Sequence, residues 1–486
     1  MAYLALDLGA GSGRAIVGTI GNEKLELVEI HRFNNIPVRI GDTLYWDFLS
    51  LFSNIKEGIR LAVKRGYILQ GIAVDTWGVD FGLIDKSGRL LSNPVCYRDN
   101  RTKGMIAEAM NLISRDELYS RTGIQQMEIN SVFQLMSMAK QEDPVLPIGD
   151  RLLFTPDLIN FFLTGAACNE YTIASTSQLL NAKTKEWEKS IFDKLGLPSH
   201  LMCKIIHPCS VIGELDGDIA VETGAGKARV FAIGSHDTAS AIAAIPMKDD
   251  NCAFLSSGTW SLLGVSLDEP VLSDEAMNNE FTNEGGVDGK ILFMRNITGL
   301  WLFQRLIAEW EKAGEECTYD YLFSECEKAE PFRSIVDSDD PVFNNPGSMT
   351  AAIRKYCMCT GQISPQAKGE FVRCVLESLA LKYKVVMGKL QVCTGKKIQK
   401  LYVVGGGSRN ELLNRYISDA LNMEVITGLT EATAIGNIVQ QAIANKQLAN
   451  LKKGYQVVSN SFAFKSYYPQ NNEDWENAAK THAHIF

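Results

Sequence analysis

A glycine-rich turn near the amino terminus constrains what this chain can fold into. The segment GAGSGR, residues 9–14, follows an apolar stretch that is typical of a strand. A dinucleotide-binding loop of the pattern Gly-x-Gly-x-x-Gly opens a helix, whereas here Arg14 stands at the third glycine position. The next segment, AIVGTI, is short and rich in β-branched residues. We therefore predict a second strand and a tight β-hairpin turn.

Asp7 lies just before this turn. A carboxylate beside a bare pyrophosphate is repelled unless a cation lies between the two. The turn would hold phosphate through its backbone N–H groups, with Asp7 serving a metal ion. An ordinary glycine-rich hairpin turn without a ligand is the alternative that this stretch leaves open.

Length, charge and cysteine content bound the class of protein. The chain has 486 residues, enough for two or three domains. Its net charge is −9 and it has no basic block, so we expect neither nucleic acid nor a membrane surface as partner. No secretory leader or membrane-spanning apolar run is recognisable, which predicts a cytoplasmic protein. The 11 scattered cysteines lack paired C-x-x-C motifs, which indicates reduced thiols and no structural zinc site.

The first half of the chain alternates strands with helices. Residues 3–33 predict three consecutive strands joined by glycine turns, and residues 51–66 have the apolar spacing of a helix. Residues 71–85 predict a hairpin that turns near Gly78. Residues 153–165 predict a helix with a proline at its start and a glycine past its end.

The opening pattern recurs after a polar, proline-containing segment at residues 245–251. Residues 252–267 again have the pattern strand, glycine turn, strand, and residues 400–421 predict a strand, a triple-glycine turn and a helix. The repetition predicts a duplicated α/β domain with a cleft between its halves. We divide the chain accordingly into residues 1–244 and residues 245–486.

Three glycine turns follow predicted strands, at residues 9–13, 256–259 and 405–407. Their distribution over both halves fits a nucleotide that is held from two sides. Backbone N–H groups and the hydroxyls of Ser12 and Thr259 would hold the phosphates. The close backbone approach at residues 405–407 would suit adenine and its ribose.

A candidate general base lies in the hexapeptide SHDTAS, residues 235–240, which follows an apolar strand. The carboxyl end of such a strand is where α/β proteins place ligand-binding groups. Asp237 would accept a proton from a substrate hydroxyl. The alternatives are that Asp237 caps the next helix and that His236 is an ordinary packed residue.

Other polar segments have a structural interpretation, and one of them also has a functional one. In DTWGVD, Asp75 and Asp80 flank an aromatic and a glycine, as in many sugar sites, but a tryptophan buried beside a turn is equally expected. Arg98, Asp99 and Arg101 of YRDNRT predict a surface ion-pair cluster. Asn296 would cap the helix that follows it.

Taken together, these segments resemble the FGGY family of carbohydrate kinases. The resemblance runs almost end to end. Its first and last motifs are widespread among sugar kinases, whereas TWGVDF, SHDTASA, TNEGG and NITGLWL are particular to one branch. The motifs are DLGAGSGR, HRFNN, VDTWGVDF, YRDNRT, SHDTASA, LSSGTWSL, TNEGG, NITGLWLFQR, VVGGGSRN and EATAIGN. The resemblance implies an α/β fold of two ribonuclease H-like (actin-like ATPase) domains around a central cleft.

The resemblance also assigns roles to individual residues. The implied ATP-binding residues are Ala10, Gly11, Ser12, Gly13, Arg14, Thr259, Gln304 and Gly406. The implied sugar-binding residues are Gly78, His236, Asp237, Thr238 and Asn296. Asp237 would be the proton acceptor, and Asp7 would help to hold Mg²⁺. The family usually has serine at the position of Gly11, and Cys357 and Cys374 align with a pair that is bridged in some members.

The implied activity is ATP-dependent phosphorylation of a ketose, with L-rhamnulose, phosphorylated at O1, as the expected substrate. A kinase for L-fuculose or L-xylulose is the nearest alternative, because one methyl group discriminates by only about 1–3 kcal/mol. A non-catalytic nucleotide-dependent binding protein on the same scaffold is a second. A dehydrogenase is a third, and the missing third glycine argues against it.

Overall fold

In this computed structural model, residues 1–247, 249 and 251–486 are described, and they form two compact units. Each unit is assembled from three separate stretches of the chain. The first unit comprises Met1–Pro246, Ser266–Phe293 and Glu431–Phe462, and the second comprises Met247–Val265, Met294–Thr430 and Ala463–Phe486. The boundary between residues 244 and 245 stays a prediction, and Lys248 and Asp250 of the predicted linker lie outside the described residues.

Strands alternate with helices along both units. The strands are β1 Ala2–Leu8, β2 Ser12–Gly21, β3 Lys24–Asn34, β4 Val38–Ile40, β5 Thr43–Tyr45, β6 Leu69–Thr76, β7 Phe81–Ile84, β8 Arg151–Phe154, β9 Asn169–Glu170, β10 Ile205–Ile206, β11 Ser210–Glu214, β12 Arg229–Ala232, β13 Cys252–Ser257, β14 Trp260–Leu267, β15 Thr282–Gly285, β16 Ile291–Thr298, β17 Lys400–Val404, β18 Glu424–Thr427 and β19 Lys465–Tyr467.

The helices are α1 Phe48–Lys64, α2 Met105–Met110, α3 Arg115–Thr122, α4 Ser131–Lys140, α5 Thr155–Thr164, α6 Tyr171–Ser175, α7 Lys189–Leu195, α8 Gly217–Thr223, α9 Asp237–Ala243, α10 Asp274–Asn278, α11 Trp301–Lys312, α12 Tyr319–Lys328, α13 Met349–Cys359, α14 Lys368–Thr394, α15 Glu411–Leu421, α16 Ala432–Ala444, α17 Leu451–Ser461 and α18 Asn472–Thr481. Short 3₁₀ turns span Asn100–Thr102, Ser199–Leu201, Val287–Gly289, Pro341–Phe343, Gly406–Arg409 and Ala483–Ile485.

The first unit is built on a six-stranded sheet of order β11-β12-β6-β1-β2-β3. β1, β2 and β3 form the predicted antiparallel meander, and β6 lies parallel to β1 on its other side. β1 is buried along its whole length because both α1 and α16 contact it. Leu51, Ile55 and Ile59 of α1 recur at helical spacing and are fully or almost fully buried in this core.

A second core within the first unit surrounds the β7–β8 pair and helices α2, α4, α6 and α7. The predicted hairpin over residues 71–85 is therefore wrong. β6 stays in the main sheet, whereas β7 pairs antiparallel with β8, with Phe81 opposite Phe154. The turn between β6 and β7 redirects the chain, and Val79 in this turn has a left-handed φ of 68°.

The second unit carries a sheet in which β13 pairs antiparallel with β14 and parallel with β17. β18 and β19 extend it beyond β17. The hairpin predicted at residues 252–267 and the strand, turn and helix predicted at residues 400–421 are confirmed. The interpretation of Asn296 as a helix cap is wrong, because Asn296 lies in β16 and α11 begins only at Trp301.

Two further findings concern the membrane and the cysteines. No helix in the described part of the chain has the length and apolarity needed to cross a bilayer. All of the cysteines are free thiols, including the buried pair Cys357 and Cys374.

Gly436 of α16 provides a test of the packing in the first unit. A Cβ on Gly436 would overlap the main-chain oxygen of Ser240 in α9, which cannot move without shifting its helix. We expect Gly436→Ala to lower the free energy of unfolding by about 1–3 kcal/mol and to lower Tm in calorimetry. Gly217→Ala is the control, since a Cβ at this helix start in the same unit meets open space. Equal Tm values for the two variants would contradict the close approach of α9 and α16.

Candidate functional site

The glycine-rich turn joins β1 to β2, as predicted. The Gly9 N–H donates to the Ser12 carbonyl (2.9 Å), and the Asn35 side chain donates to the Gly9 carbonyl (3.0 Å). Gly11 is exposed. At Gly13 a side chain would overlap the ring of Phe33. The turn is thus fixed by Asn35 and Phe33 and exposed at Gly11, as a phosphate-binding turn requires.

A row of charged side chains crosses three neighbouring strands beside this turn. Asp7 of β1 is opposite Arg14 of β2 on one side and opposite Asp75 of β6 on the other. Directly paired residues project from the same face of a sheet. The row therefore contains two carboxylates and one guanidinium, all in one unit of the structure.

Arg14 forms ion pairs with both Asp7 and Glu431, the residue that precedes α16. Burial raises the pKa of Asp7, and the charge of Arg14 only partly opposes this shift. In this structure the Arg14 guanidinium therefore pairs with the buried Asp7 and the partly exposed Glu431, whereas its implied contact with ATP phosphates stays a prediction.

Asp75 is fully buried. Its Oδ2 accepts a hydrogen bond from Asn437 Nδ2 of α16 (2.5 Å), and its Oδ1 has no hydrogen-bond partner among the described residues. Burial and the neighbouring charge of Asp7 raise the pKa of Asp75 well above its ordinary value. A free buried oxygen beside a second carboxylate suits a hard cation such as Mg²⁺, which prefers oxygen ligands.

Asp237 is the first residue of α9, and its side chain is 35% exposed. His236 occupies the position before the helix, so the interpretation of Asp237 as the helix cap is not supported. The partly buried position raises the pKa of Asp237, while His236 and the Thr238 hydroxyl, 3.2 Å away, oppose the rise. The charge of Asp237 also raises the pKa values of Asp7 and Asp75, so the three carboxylates share one electrostatic environment.

Asp80 occupies a structural position. It is fully buried, and its Oδ2 accepts hydrogen bonds from the indoles of Trp46 (2.6 Å) and Trp77 (2.9 Å). Oδ2 also accepts from the Tyr97 backbone N–H (3.2 Å), and Oδ1 accepts from Gln134 (3.0 Å). The alternative of a buried tryptophan beside a turn is therefore confirmed for Trp77, and Asp80 serves to orient it.

Gly78 lies in the turn that Asp80 anchors. A Cβ on Gly78 would come within 3.2 Å of Thr176. The next residue, Val79, holds a strained left-handed conformation, since its N–H donates to Thr176 Oγ1 (3.1 Å) and its carbonyl accepts from Ser131 (2.5 Å). The surroundings fix this turn from both sides and hold the Gly78 backbone in one conformation.

The surface ion-pair cluster predicted for YRDNRT is wrong. Asp99 is buried and accepts from the backbone N–H groups of Leu44 (2.7 Å) and Arg101 (2.8 Å). Arg101 donates to Gln134 (2.7 Å). The segment therefore stabilises a turn through hydrogen bonds, which a charge pattern alone does not predict.

In the second unit, the structure brings together two of the predicted nucleotide-binding residues. Thr259, in the turn between β13 and β14, donates to Gln304 of α11 (3.0 Å). The glycine turn that contains Gly406 approaches the end of β13 so closely that a Cβ on Gly407 would overlap Ser257. Both glycine turns of this unit therefore lie at the same end of its sheet.

Three functional candidates were missed by the analysis of the sequence: Glu284, Glu431 and Asn437. Glu284 contacts His236, Glu431 contacts Arg14, and Asn437 contacts Asp75. The available signal was a polar residue within an apolar strand or helix, as in TNEGG and EATAIGN. Burial of such a residue costs free energy, and a specific polar partner is needed to offset that cost.

Family models match most of the chain. The N-terminal domain model of the FGGY family of carbohydrate kinases matches residues 2–244, and the C-terminal domain model matches residues 253–445. The rhamnulokinase of Bacteroides thetaiotaomicron is 43% identical over 98% of this chain and 97% of its own length. The rhamnulokinase of Oceanobacillus iheyensis is 39% identical over 96% of this chain and 97% of its own.

Solved structures show the same fold at low sequence identity. A ligand-bound xylulose kinase from Lactobacillus acidophilus has a TM-score of 0.84 at 17% identity, covering 100% of this chain and 97% of its own. A Plasmodium falciparum glycerol kinase with ADP has a TM-score of 0.82 at 15% identity, covering 99% of this chain and 96% of its own. These likenesses confirm the predicted two-domain actin-like ATPase fold.

The ion pairs of Arg14 predict a pH-dependent loss of stability. Breaking a buried pair costs about 3–5 kcal/mol, and because the Arg14 side chain is 19% exposed we expect about 2–3 kcal/mol for Arg14→Gln at pH 7.5. Without Arg14 the pKa of Asp7 rises further. Because this rise is larger in the variant than in the native protein, protonation of Asp7 stabilises the folded variant more. The difference in free energy of unfolding between the two proteins therefore shrinks as pH falls towards 5. Urea unfolding at both pH values measures this.

Arg32→Gln is the matched control for Arg14→Gln. Arg32 lies opposite Arg14 on β3, but its ion pair with Glu29 is exposed, with side-chain exposures of 54% and 42%. We expect a change within about 0.5 kcal/mol. A deficit of Arg14→Gln that is equally small, or that grows as pH falls, would contradict the role of Arg14 in neutralising Asp7.

Proposed function

The chain belongs to the FGGY family of carbohydrate kinases, and we propose that it transfers the γ-phosphoryl group of ATP to O1 of L-rhamnulose. The observation that carries this proposal is the full-length similarity to rhamnulokinases, 43% identical for the Bacteroides thetaiotaomicron protein. The site in the first unit supports it, since a partly exposed carboxylate, Asp237, lies among buried carboxylates suited to a metal-bound nucleotide.

Asp237 is the proposed general base. A sugar hydroxyl is a weak nucleophile, and it becomes a better one as its proton leaves. Asp237 would take the proton from O1 while the O1–phosphorus bond forms and the bond to the leaving ADP breaks. Phosphoryl transfer needs positioning and charge neutralisation more than covalent help. One base and fixed donors are therefore a sufficient set of groups.

Asp7 and Asp75 are the proposed carboxylates of a Mg²⁺ site, and the free Oδ1 of Asp75 fits such a role. Mg²⁺ on phosphates commonly uses only one or two carboxylates. Among the described residues no cluster of three or more acidic, His or Cys ligands exists. The remaining ligands would come from water and phosphate. When bound, the ion would neutralise charge on the transferring phosphoryl group.

The remaining residues have binding roles in this proposal. The turn of Ala10, Gly11, Ser12, Gly13 and Arg14 offers donors to phosphates, and Thr259, Gln304 and Gly406 would complete ATP binding. Gly78, His236, Thr238 and Asn296 would contact the ketose. The proposed partners are a small-molecule ketose and MgATP, and we propose a cytoplasmic location.

A panel of ketoses tests the substrate. We expect ATP- and Mg²⁺-dependent ADP release with L-rhamnulose, at a kcat/KM at least about 10-fold above that for L-fuculose or L-xylulose, because a misfitting substituent costs about 1–3 kcal/mol. Coupled ADP-release assays measure these values. A wide lead of another ketose would change the substrate, and ATP consumption that no ketose stimulates would argue against a sugar kinase.

Asp237→Asn tests the base. Asparagine keeps the shape of the side chain but cannot accept the proton, so we expect kcat to fall by roughly 10²- to 10⁴-fold with little change in ATP affinity. Asp216→Asn is the control, because it makes the same chemical change at the cap of α8, where asparagine caps equally well. Turnover above about a tenth of the native value in Asp237→Asn would exclude a general base at this position.

A further inference from the structure

His236 lies between two carboxylates of the first unit. Its Nδ1 is 3.1 Å from Oε2 of Glu284, and its Nε2 is 3.4 Å from Oδ1 of Asp237. The histidine and Glu284 side chains are only 10% and 8% exposed. The Nδ1–Oε2 distance is that of an ion pair when His236 is protonated. One imidazole therefore links a buried carboxylate to the proposed base.

Glu284 lies in β15, which is separate from α9 in the sequence. All four residues of β15 are buried, and the Gly285 N–H donates to Ser175 (2.8 Å), which fixes the strand. An ionised carboxylate buried in this way is costly unless a cation lies beside it. An imidazolium at His236 supplies that cation.

The groups that face His236 all favour its protonated form. They are Glu284 in β15, Asp237 in α9 and Glu170, the residue that precedes α6. Burial alone would lower the pKa of His236, but these carboxylates together raise it above the ordinary value of 6.5. The backbone N–H of His236 donates to Thr172 Oγ1 (3.1 Å), which fixes the residue between them.

We propose that Glu284 is a positioning residue that holds His236 as an imidazolium, and that this imidazolium keeps Asp237 ionised to receive the O1 proton. The proposal rests on the proposed function for its last step. The proton passes from O1 to the Asp237 carboxylate and then to solvent after the phosphorylated sugar leaves. His236 keeps its own proton throughout.

Removal of the Glu284 charge should change the pKa of Asp237 in a defined direction. In Glu284→Gln, His236 loses the carboxylate at Nδ1, and we expect burial, which lowers its pKa, to keep it neutral over the pH range in which Asp237 titrates. Asp237 then loses a cation at 3.4 Å and is relieved of the more distant charge of Glu284. The nearer charge dominates because Coulomb energy falls with distance. Asp237 should therefore protonate at a higher pH in the variant.

The kinetic test is the pH profile of kcat/KM for L-rhamnulose. We expect Glu284→Gln to shift the acidic limb upward by on the order of one pH unit, with kcat/KM on the alkaline plateau within a few fold of native. Glu284→Asp keeps the charge, so its acidic limb should lie closer to that of the native protein than the limb of Glu284→Gln does. Thr282→Val is the matched control, since it changes the same buried strand without changing charge. An equal loss at every pH would mean a structural role and overturn the proposal.

A second measurement needs no turnover. Ligand-free protein labelled with ¹⁵N-histidine and ¹³Cγ-aspartate is titrated by NMR, with His236→Gln and Asp237→Asn spectra identifying the two signals. We expect both His236 nitrogens to carry protons at pH 7 in the native protein. In Glu284→Gln we expect the titration midpoint of His236 to fall and that of Asp237 to rise. A neutral His236 in the native protein, or an unmoved Asp237, would overturn the proposal. If these shifts occur but L-rhamnulose is not phosphorylated, the proposed function fails and the coupling between Glu284 and Asp237 stands.

Discussion

The ion pairs of Arg14 with Asp7 and Glu431 hold together a site whose parts come from distant positions in the chain. β1, β2 and β6 bring Asp7, Arg14 and Asp75 into one row, and the start of α16 brings Glu431 to the same guanidinium. Burial disfavours every ionised carboxylate, whereas a guanidinium stays charged at any physiological pH. The arginine that the β1–β2 hairpin places on this face therefore lowers the cost of gathering acidic groups there.

Much of the fold follows from local patterns. Hairpins with glycine turns and helices with long apolar periodicity form as predicted, because local propensity and the core demand the same structure. The failure at residues 71–85 shows the limit of such patterns. Both β6 and β7 are apolar, but the partner of β7 is β8, about 70 residues further along, and the turn contains a valine with φ of 68°. A β-branched residue in that conformation is held by tertiary hydrogen bonds, which a local pattern cannot show.

The site was predictable where a residue's neighbours in the sequence define it. Asp237 lies shortly after strand β12, and Asp7 precedes a glycine turn, so each is recognisable in its own segment. Glu284, Glu431 and Asn437 are defined instead by tertiary packing, and the partners of Glu431 and Asn437 lie hundreds of positions away in the sequence. The two carboxylates of DTWGVD show the same distinction. Their identical chemistry predicted identical use, but Asp75 keeps a free oxygen whereas two indoles and an amide occupy Asp80.

The three-stretch assembly of the first unit also has a consequence for biosynthesis. Gln441 of α16 donates to the Leu4 carbonyl of β1 across 437 positions of sequence (3.0 Å). At about 5–20 residues per second, a ribosome needs roughly 20–90 s to synthesise the intervening chain. Throughout that interval the face of β1 and β6 that α16 covers is exposed on the nascent polypeptide. The amino-terminal sheet, although made first, is completed among the last parts of the molecule, and its uncovered apolar face is a place where the growing chain can aggregate until then.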